Sequence, residues 1–201
     1  IELYEATFEV HYLKEAVTLN KAMIDIFWDK KGGGLYFTGK GNETLITVSK
    51  DAYDGALPSG NSVAALNFLR LGRMTGDVDL EQRGEQIIGS FSGYVKGSPM
   101  GYTHLLAAVD FIAGPAQEIV IAGNPDHKNT QAMIRAAQEK FLPNKVVLLY
   151  NDGPEGKSLE ALSPFVQGMR SVNQEPAAYV CKQYTCRFPV TEVDSLILLL
   201  D

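Results

Sequence analysis

Asp51, Tyr53, Asp54, Ser59 and Asn61 stand in one short polar stretch, DAYDGALPSGN, that runs straight into the apolar segment Val63–Leu71. Carboxylates, a phenol, a hydroxyl and a carboxamide in one loop are groups that hold hydroxyls or anions. Ser59, Asn61 and Ser62 are each suited to accept the first amides of a helix. Pro58 keeps Leu57 out of the α region, and Gly55 and Gly60 permit close backbone approach. The stretch therefore predicts a tight loop at the N-terminus of a helix that is apolar all round and hence buried. The free N–H groups and positive dipole end of such a helix suit an anion or a hydroxyl-rich ligand. The same side chains also suit plain capping, and the sequence leaves both roles open.

Cys181 and Cys186 are separated by four residues. A reactive pair needs an exposed thiolate of low pKa, which C-x-x-C at a helix N-terminus supplies and C-x4-C beside a strand does not. The two can meet across a hairpin turn in a labile disulfide, or lie buried as small hydrophobes. The buried, inert arrangement is the plainer expectation. A zinc site needs four ligands, and His11, His104 and His127 are scattered, so no metal is predicted. Gly123 to Thr130 (GNPDHKNT) joins a strand to a helix, where phosphates often sit. It carries neither G-x-G-x-x-G nor a P-loop lysine, so no dinucleotide or other cofactor is predicted.

The elements that must position these groups follow from periodicity. Apolar residues recur at three- and four-residue steps from residue 3 to 28, which predicts one helix. DKKGGG (Asp29 to Gly34) ends it. Leu35–Thr38 and Leu45–Val48 read as two short strands of a hairpin. After the helix that includes Val63–Leu71, Asp79 and Gln82 resemble a capping box at the start of another helix. Its Leu80, Gly84, Ile87, Phe91 and Val95 share one face. Ser98-Pro99 opens a further helix that carries Leu105, Leu106, Val109 and Ile112 and stops at Gly114-Pro115. There the grammar changes. EIVIA (Glu118 to Ala122), KVVLLY (Lys145 to Tyr150) and AAYVC (Ala177 to Cys181) read as buried strands, with a paired segment at Tyr184 to Phe188. Helices are predicted over Asn129–Phe141, Leu159–Gly168 and Val193–Leu200. This alternation predicts α + α/β architecture, with a small, mostly parallel sheet covered by helices in residues 115–201 and a helical domain in residues 1–114.

The chain has 201 residues, 45% of them hydrophobic and 21% charged, with net charge −6. That composition supports a real core and argues against nucleic acid as a partner. No apolar run reaches the length of a membrane span. Two cysteines suit a reducing, cytoplasmic setting. The chain begins at Ile1 in what reads as the middle of a helical region, with no signal peptide, and so reads as a fragment of a longer protein.

YEATF (Tyr4 to Phe8), FWDKKGGGLYFT (Phe27 to Thr38), DAYDGALPSGNSVAALNFLRL (Asp51 to Leu71), EIVIAG (Glu118 to Gly123), FLPNKVVLL (Phe141 to Leu149) and AYVCKQYTCRFPV (Ala178 to Val190) together resemble one family. It is the thioredoxin-domain-containing family of YyaL and spermatogenesis-associated protein 20. The order of the blocks resembles that family's C-terminal portion. The resemblance implies an N-terminal thioredoxin-like domain as a partner in the full-length protein. It also implies an α/α toroid similar to six-hairpin glycosidases and N-acylglucosamine 2-epimerases. A full toroid has about twelve helices against the four read before Gly114. The expectation is therefore a partial toroid, whose open seam a homodimer can bury.

In toroids of this type, polar loops at one mouth line a carbohydrate-sized pocket. The resemblance thus points to the Asp29–Thr38 turn and the Asp51–Asn61 loop. It casts Asp51 and Asp54 as acid and base, since glycoside chemistry needs two carboxylates. His104 is a further acid–base candidate by analogy with the epimerases. Tyr36, Tyr53 and Trp28 can stack on a sugar face, with Tyr102 beside His104 and with Ser59 and Asn61 on the hydroxyls. Against this stand two other roles. One is a non-catalytic interaction module serving the thioredoxin-like domain, in which caps and backbone consume the polar groups. The other is a thiol-redox role for Cys181 and Cys186, which requires Cα atoms closer than about 7 Å.

Overall fold

The computed structural model describes residues 1–41, 48–182 and 185–200. They form two compact units. One comprises residues 1–14, 73–76 and 114–201, and the other residues 15–72 and 77–113.

The first unit is built on a four-stranded sheet of order β2-β1-β3-β4. The central strand, β1 (Gln117–Ala122), is buried along its whole length. Its near-continuous apolar run fits a strand covered on both faces. It pairs in parallel with β2 (Lys145–Tyr150), and the connection runs through an amphipathic helix, here termed α6 (Lys128–Glu139). The third strand, β3 (Ala177–Lys182), runs antiparallel to β1, with Ala122 opposite Ala177. The short β4 (Thr185–Cys186) turns back antiparallel on β3. The sheet is therefore mixed rather than mostly parallel. The reason lies in the stretch 163–176, which brings the chain back to the end of the sheet where β1 finishes, so that β3 enters from that end.

Ile119, Ile121, Val147, Leu149, Ala178 and Val180 form one core with Met133 and Ala137 of α6 and Leu196 of α8 (Val193–Leu199). On the sheet's margin the amide of Val147 donates to Glu5 and that of Leu149 to the Tyr4 hydroxyl. Tyr4 is fully buried, and burial pushes its phenol well above its usual range. The helix expected over residues 3–28 is two: α1 (Glu2–Thr7) and α2 (Val10–Phe27). Phe8 stands at φ 58°, a left-handed conformation that ends α1. The helix expected from Leu159 begins earlier, as α7 (Pro154–Leu162), with proline in its first turn.

The second unit is helical. α3 (Gly60–Thr75) supplies Ala64, Ala65, Phe68 and Leu69 to its interior. α4 (Val78–Gly97) lies so close to α3 that a Cβ on Gly84 would stand 2.8 Å from Leu69. The cap of α4 is Asp77, which accepts the Leu80 amide, rather than the expected Asp79. A short 3-10 turn, Pro99–Gly101, leads to α5 (Thr103–Ala113). Leu35 makes an isolated bridge with Trp28 in place of the first strand of the expected hairpin. Of the second strand, residues 45–47 lie outside the described residues.

Gly156 sets a sharp test of the sheet unit. A Cβ there would lie 1.5 Å from the carbonyl oxygen of Asn151, a backbone atom that has no rotamer to move. Gly156→Ala is expected to destabilise the protein by about 1–3 kcal/mol or more, as overpacking does, which denaturant unfolding will measure. An unchanged midpoint would contradict this packing.

Candidate functional site

A cleft of about 480 Å³ opens at the N-terminus of α3, inside the helical unit. Tyr36, Phe37, Asp51, Tyr53, Ser59 and Asn61 are among the residues that wall it. The structure thus brings together five of the residues singled out in the sequence. Asp54, Tyr102 and His104 are not among the cleft's walls.

Hydrogen bonds explain the cleft's shape. Asn61 is 4% exposed. Its Oδ1 accepts the Leu35 amide at 2.7 Å, and its Nδ2 donates to the carbonyls of Leu35 at 2.9 Å and Asp51 at 2.8 Å. One carboxamide therefore ties the segment after α2 to the loop before α3. Ser59 caps α3, its Oγ accepting the Ser62 amide, and the Ser62 hydroxyl donates to the Ala52 carbonyl. Asp51 accepts the amide of Tyr53 through Oδ1.

Asp54 faces elsewhere. Its Oδ1 accepts the Ser59 amide, and its Oδ2 accepts the amides of His104 and Leu105 in the first turn of α5. It caps a helix that begins about fifty residues further along the chain. Burial alone would raise its carboxyl. The Ser59, Leu105 and His104 amides and the Ser62 hydroxyl outweigh burial and hold it below the ordinary carboxylate value. A carboxylate so held is a poor proton donor near neutral pH. His104 contributes its backbone to this contact.

The aromatic groups divide. Tyr53 is 58% exposed and Phe37 82% exposed beside the cleft. Tyr53 meets Tyr102 edge to face at 6.0 Å. Tyr102 lines a neighbouring hollow of about 410 Å³ with Lys50 and Ser90. Trp28 is core: it is buried against Phe68, and the Arg83 guanidinium lies over its ring.

Two residues that position the site went unread in the sequence, Lys50 and the side chain of Asp29. Lys50 Nζ donates to Asp29 Oδ2 at 2.8 Å and to the Gly33 carbonyl at 2.6 Å, and Asp29 Oδ1 accepts the Lys31 amide. The Lys50 hydrogen bond first, then that amide, hold the Asp29 carboxyl far below the usual carboxylate range. Gly33 and Gly34 take φ of 69° and 79°, a region glycine enters without strain. The signal for this clamp was the run DKKGGG.

In the sheet unit, Cys181 and Cys186 are joined in a disulfide with Cα atoms 3.8 Å apart. The hairpin disulfide, and not the plainer expectation of two buried, inert thiols, is what the structure shows; Cys181 is buried and Cys186 exposed. His127 caps α6, its Nδ1 accepting the Asn129 amide. Among the described residues, no three His, Cys, Asp or Glu side chains gather as a metal site requires. No helix of the described residues is long and apolar enough to cross a membrane.

Fold and site together define a mixed α and β protein with an aromatic-walled cleft set by one buried carboxamide. No family model matches the chain. The chain is nevertheless similar along its whole length to spermatogenesis-associated protein 20 of mammals. It is 33% identical to spermatogenesis-associated protein 20 of Homo sapiens over 202 residues and 32% identical to that of Rattus norvegicus over 203. It is 26% identical over 197 residues to uncharacterized protein B0495.5 of Caenorhabditis elegans. It spans about a quarter of the length of each: 25% of the mammalian proteins and 26% of the nematode one.

Asn61→Ala strands three backbone groups and is expected to cost roughly 2–4 kcal/mol, measured by denaturant unfolding. Asp54 makes a pH prediction. Its folded-state value is depressed, so its stabilisation is present above the ordinary aspartate value of about 4 and is lost as pH falls through the folded value. Asp54→Asn is expected to lower the melting temperature at pH 7 and to flatten the acid limb of the stability profile. An acid limb identical to that of the native chain would contradict the capping role.

Proposed function

We propose that the helical unit binds a carbohydrate in the cleft at the N-terminus of α3 and does not itself transform it. The observation that carries this reading is the division of labour at the cleft. Backbone groups occupy Asn61 and both Asp54 oxygens, while the Tyr53 and Phe37 faces stay open. A sugar ring presents a C–H face that packs on an aromatic ring, with hydroxyls at its rim. Tyr53 and Phe37 supply the stacking surface, Tyr36 a phenol, and Asp51 a carboxylate on the cleft wall.

Among the described residues that wall the cleft, Asp51 is the one carboxylate, and Asp54 is turned to α5. Hydrolysis of a glycosidic bond uses two carboxyl groups facing the bond from either side. The reading is therefore of a binding unit. In it, α2 to α5 are part of an α/α toroid, and residues 115–201 form the accompanying α/β domain. The thioredoxin-like domain implied by the family resemblance is the partner such a unit would serve.

The test is calorimetry and thermal shift of the full-length protein with a panel of mono- and oligosaccharides. A ligand at a hundred times its Kd is expected to stabilise by about 2.7 kcal/mol. Tyr53→Ala and Phe37→Ala are expected to abolish that shift while the ligand-free melting temperature stays within about a degree or two, as for other exposed sites. No product should form on long incubation. A panel without any shift, or turnover of the bound sugar, would overturn the proposal.

A further inference from the structure

We propose that Cys181–Cys186 is a reversible thiol–disulfide site at the edge of the sheet, reduced by a dithiol that attacks Cys186. This stands apart from the carbohydrate reading and rests on the other unit.

The pairing sets the two cysteines directly opposite each other. Cys181 of β3 is in register with Cys186 of β4, and Lys182 is in register with Thr185. The two cysteines differ in exposure. Cys181 is 2% exposed, whereas Cys186 is solvent-exposed on the outermost strand. An incoming thiolate therefore reaches the Cys186 sulfur and leaves Cys181 as the departing group, since access decides which sulfur is attacked.

The surrounding fold does not need the bond. β3 is held by its six-residue ladder to β1, from Gln117↔Lys182 to Ala122↔Ala177. Beyond β4 the chain is tied to β3 again, by the Arg187 amide on the Val180 carbonyl and by the paired bonds of Ala178 and Val190. The core residues Ala178 and Val180 take no part in the bond. The cysteines are only five positions apart in sequence, and a cross-link that closes so short a loop restrains the unfolded chain least.

The exchange balances as follows. A thiolate of the dithiol bonds to Cys186 Sγ, and the Cys181–Cys186 bond breaks. Cys181 departs as a thiolate and takes a proton from water. The second thiol of the reductant, after losing its proton, attacks its own sulfur in the mixed disulfide and releases Cys186. Two electrons and two protons pass from the dithiol to the protein, and the reductant becomes a cyclic disulfide.

The experiment uses dithiothreitol as the probe. The folded full-length protein is equilibrated at pH 7 over a range of dithiothreitol ratios, alkylated, and read by peptide mass spectrometry. The expected result is complete, reversible conversion of both cysteines, with the far-ultraviolet circular dichroism unchanged. Single variants then test the asymmetry. The thiol left in Cys181→Ser is expected to react with an aromatic disulfide reagent roughly tenfold faster or more than the thiol left in Cys186→Ser, because access governs exchange. A bond that resists dithiothreitol until the protein unfolds, a reduction that itself unfolds the sheet unit, or equal rates for the two thiols would each overturn the proposal.

Discussion

The helical unit depends on one carboxamide. Asn61 is buried in the first turn of α3, and its two polar atoms take three backbone groups from two other segments. A buried carboxamide with satisfied partners is worth more than its hydrogen bonds, because its removal strands every group it had satisfied. It also specifies geometry, since only one arrangement of Leu35 and Asp51 meets donors and acceptors in the right order. The Lys50–Asp29 pair then secures the turn before Leu35, and Asp54 secures the end of the loop to α5. The cleft is the space these ties leave between them.

This has a chemical consequence. Polar residues gathered at a helix N-terminus look alike whether they face a ligand or the backbone. Here backbone amides take up Asp54, and the same holds for Asn61 together with the carbonyls it meets. Among the groups open toward solvent are the Tyr53 and Phe37 rings, with Asp51 beside them on the cleft wall. The backbone around the cleft is thus fixed by side chains that are themselves occupied in fixing it.

Legibility of these features in the sequence followed the range of the interaction. The apolar run Val63–Leu71 announced the buried helix, and Ser59 announced its cap, because both signals are local. The strands β1, β2 and β3 were visible as short apolar runs. The direction of β3 was not, because direction is set by the path of residues 163–176 rather than by the composition of the strand. The left-handed residue that splits the first helix is a phenylalanine, which carries no sign of that conformation. Asp77 and Asp79 are both plausible caps, and only the backbone at Asp77, extended at φ −86° and ψ 96°, distinguishes them. Asp54 was singled out as an acid–base candidate, whereas its two oxygens accept backbone amides. Its partner, the start of α5, lies fifty positions away, and no local pattern points there.

The central claim is that side chains of the Asp51–Asn61 loop fix the backbone around the cleft. Native-state hydrogen exchange on the amides of Leu35, Ser59, His104 and Leu105 tests it most directly. Leu35 and Ser59 lie in loops, and His104 and Leu105 lie in a first helical turn, where amides have no partner within their own helix. Their protection therefore reports the Asn61 and Asp54 acceptors alone. The account predicts that all four exchange as slowly as interior amides of α3. Exchange at the rate of an open loop would contradict it.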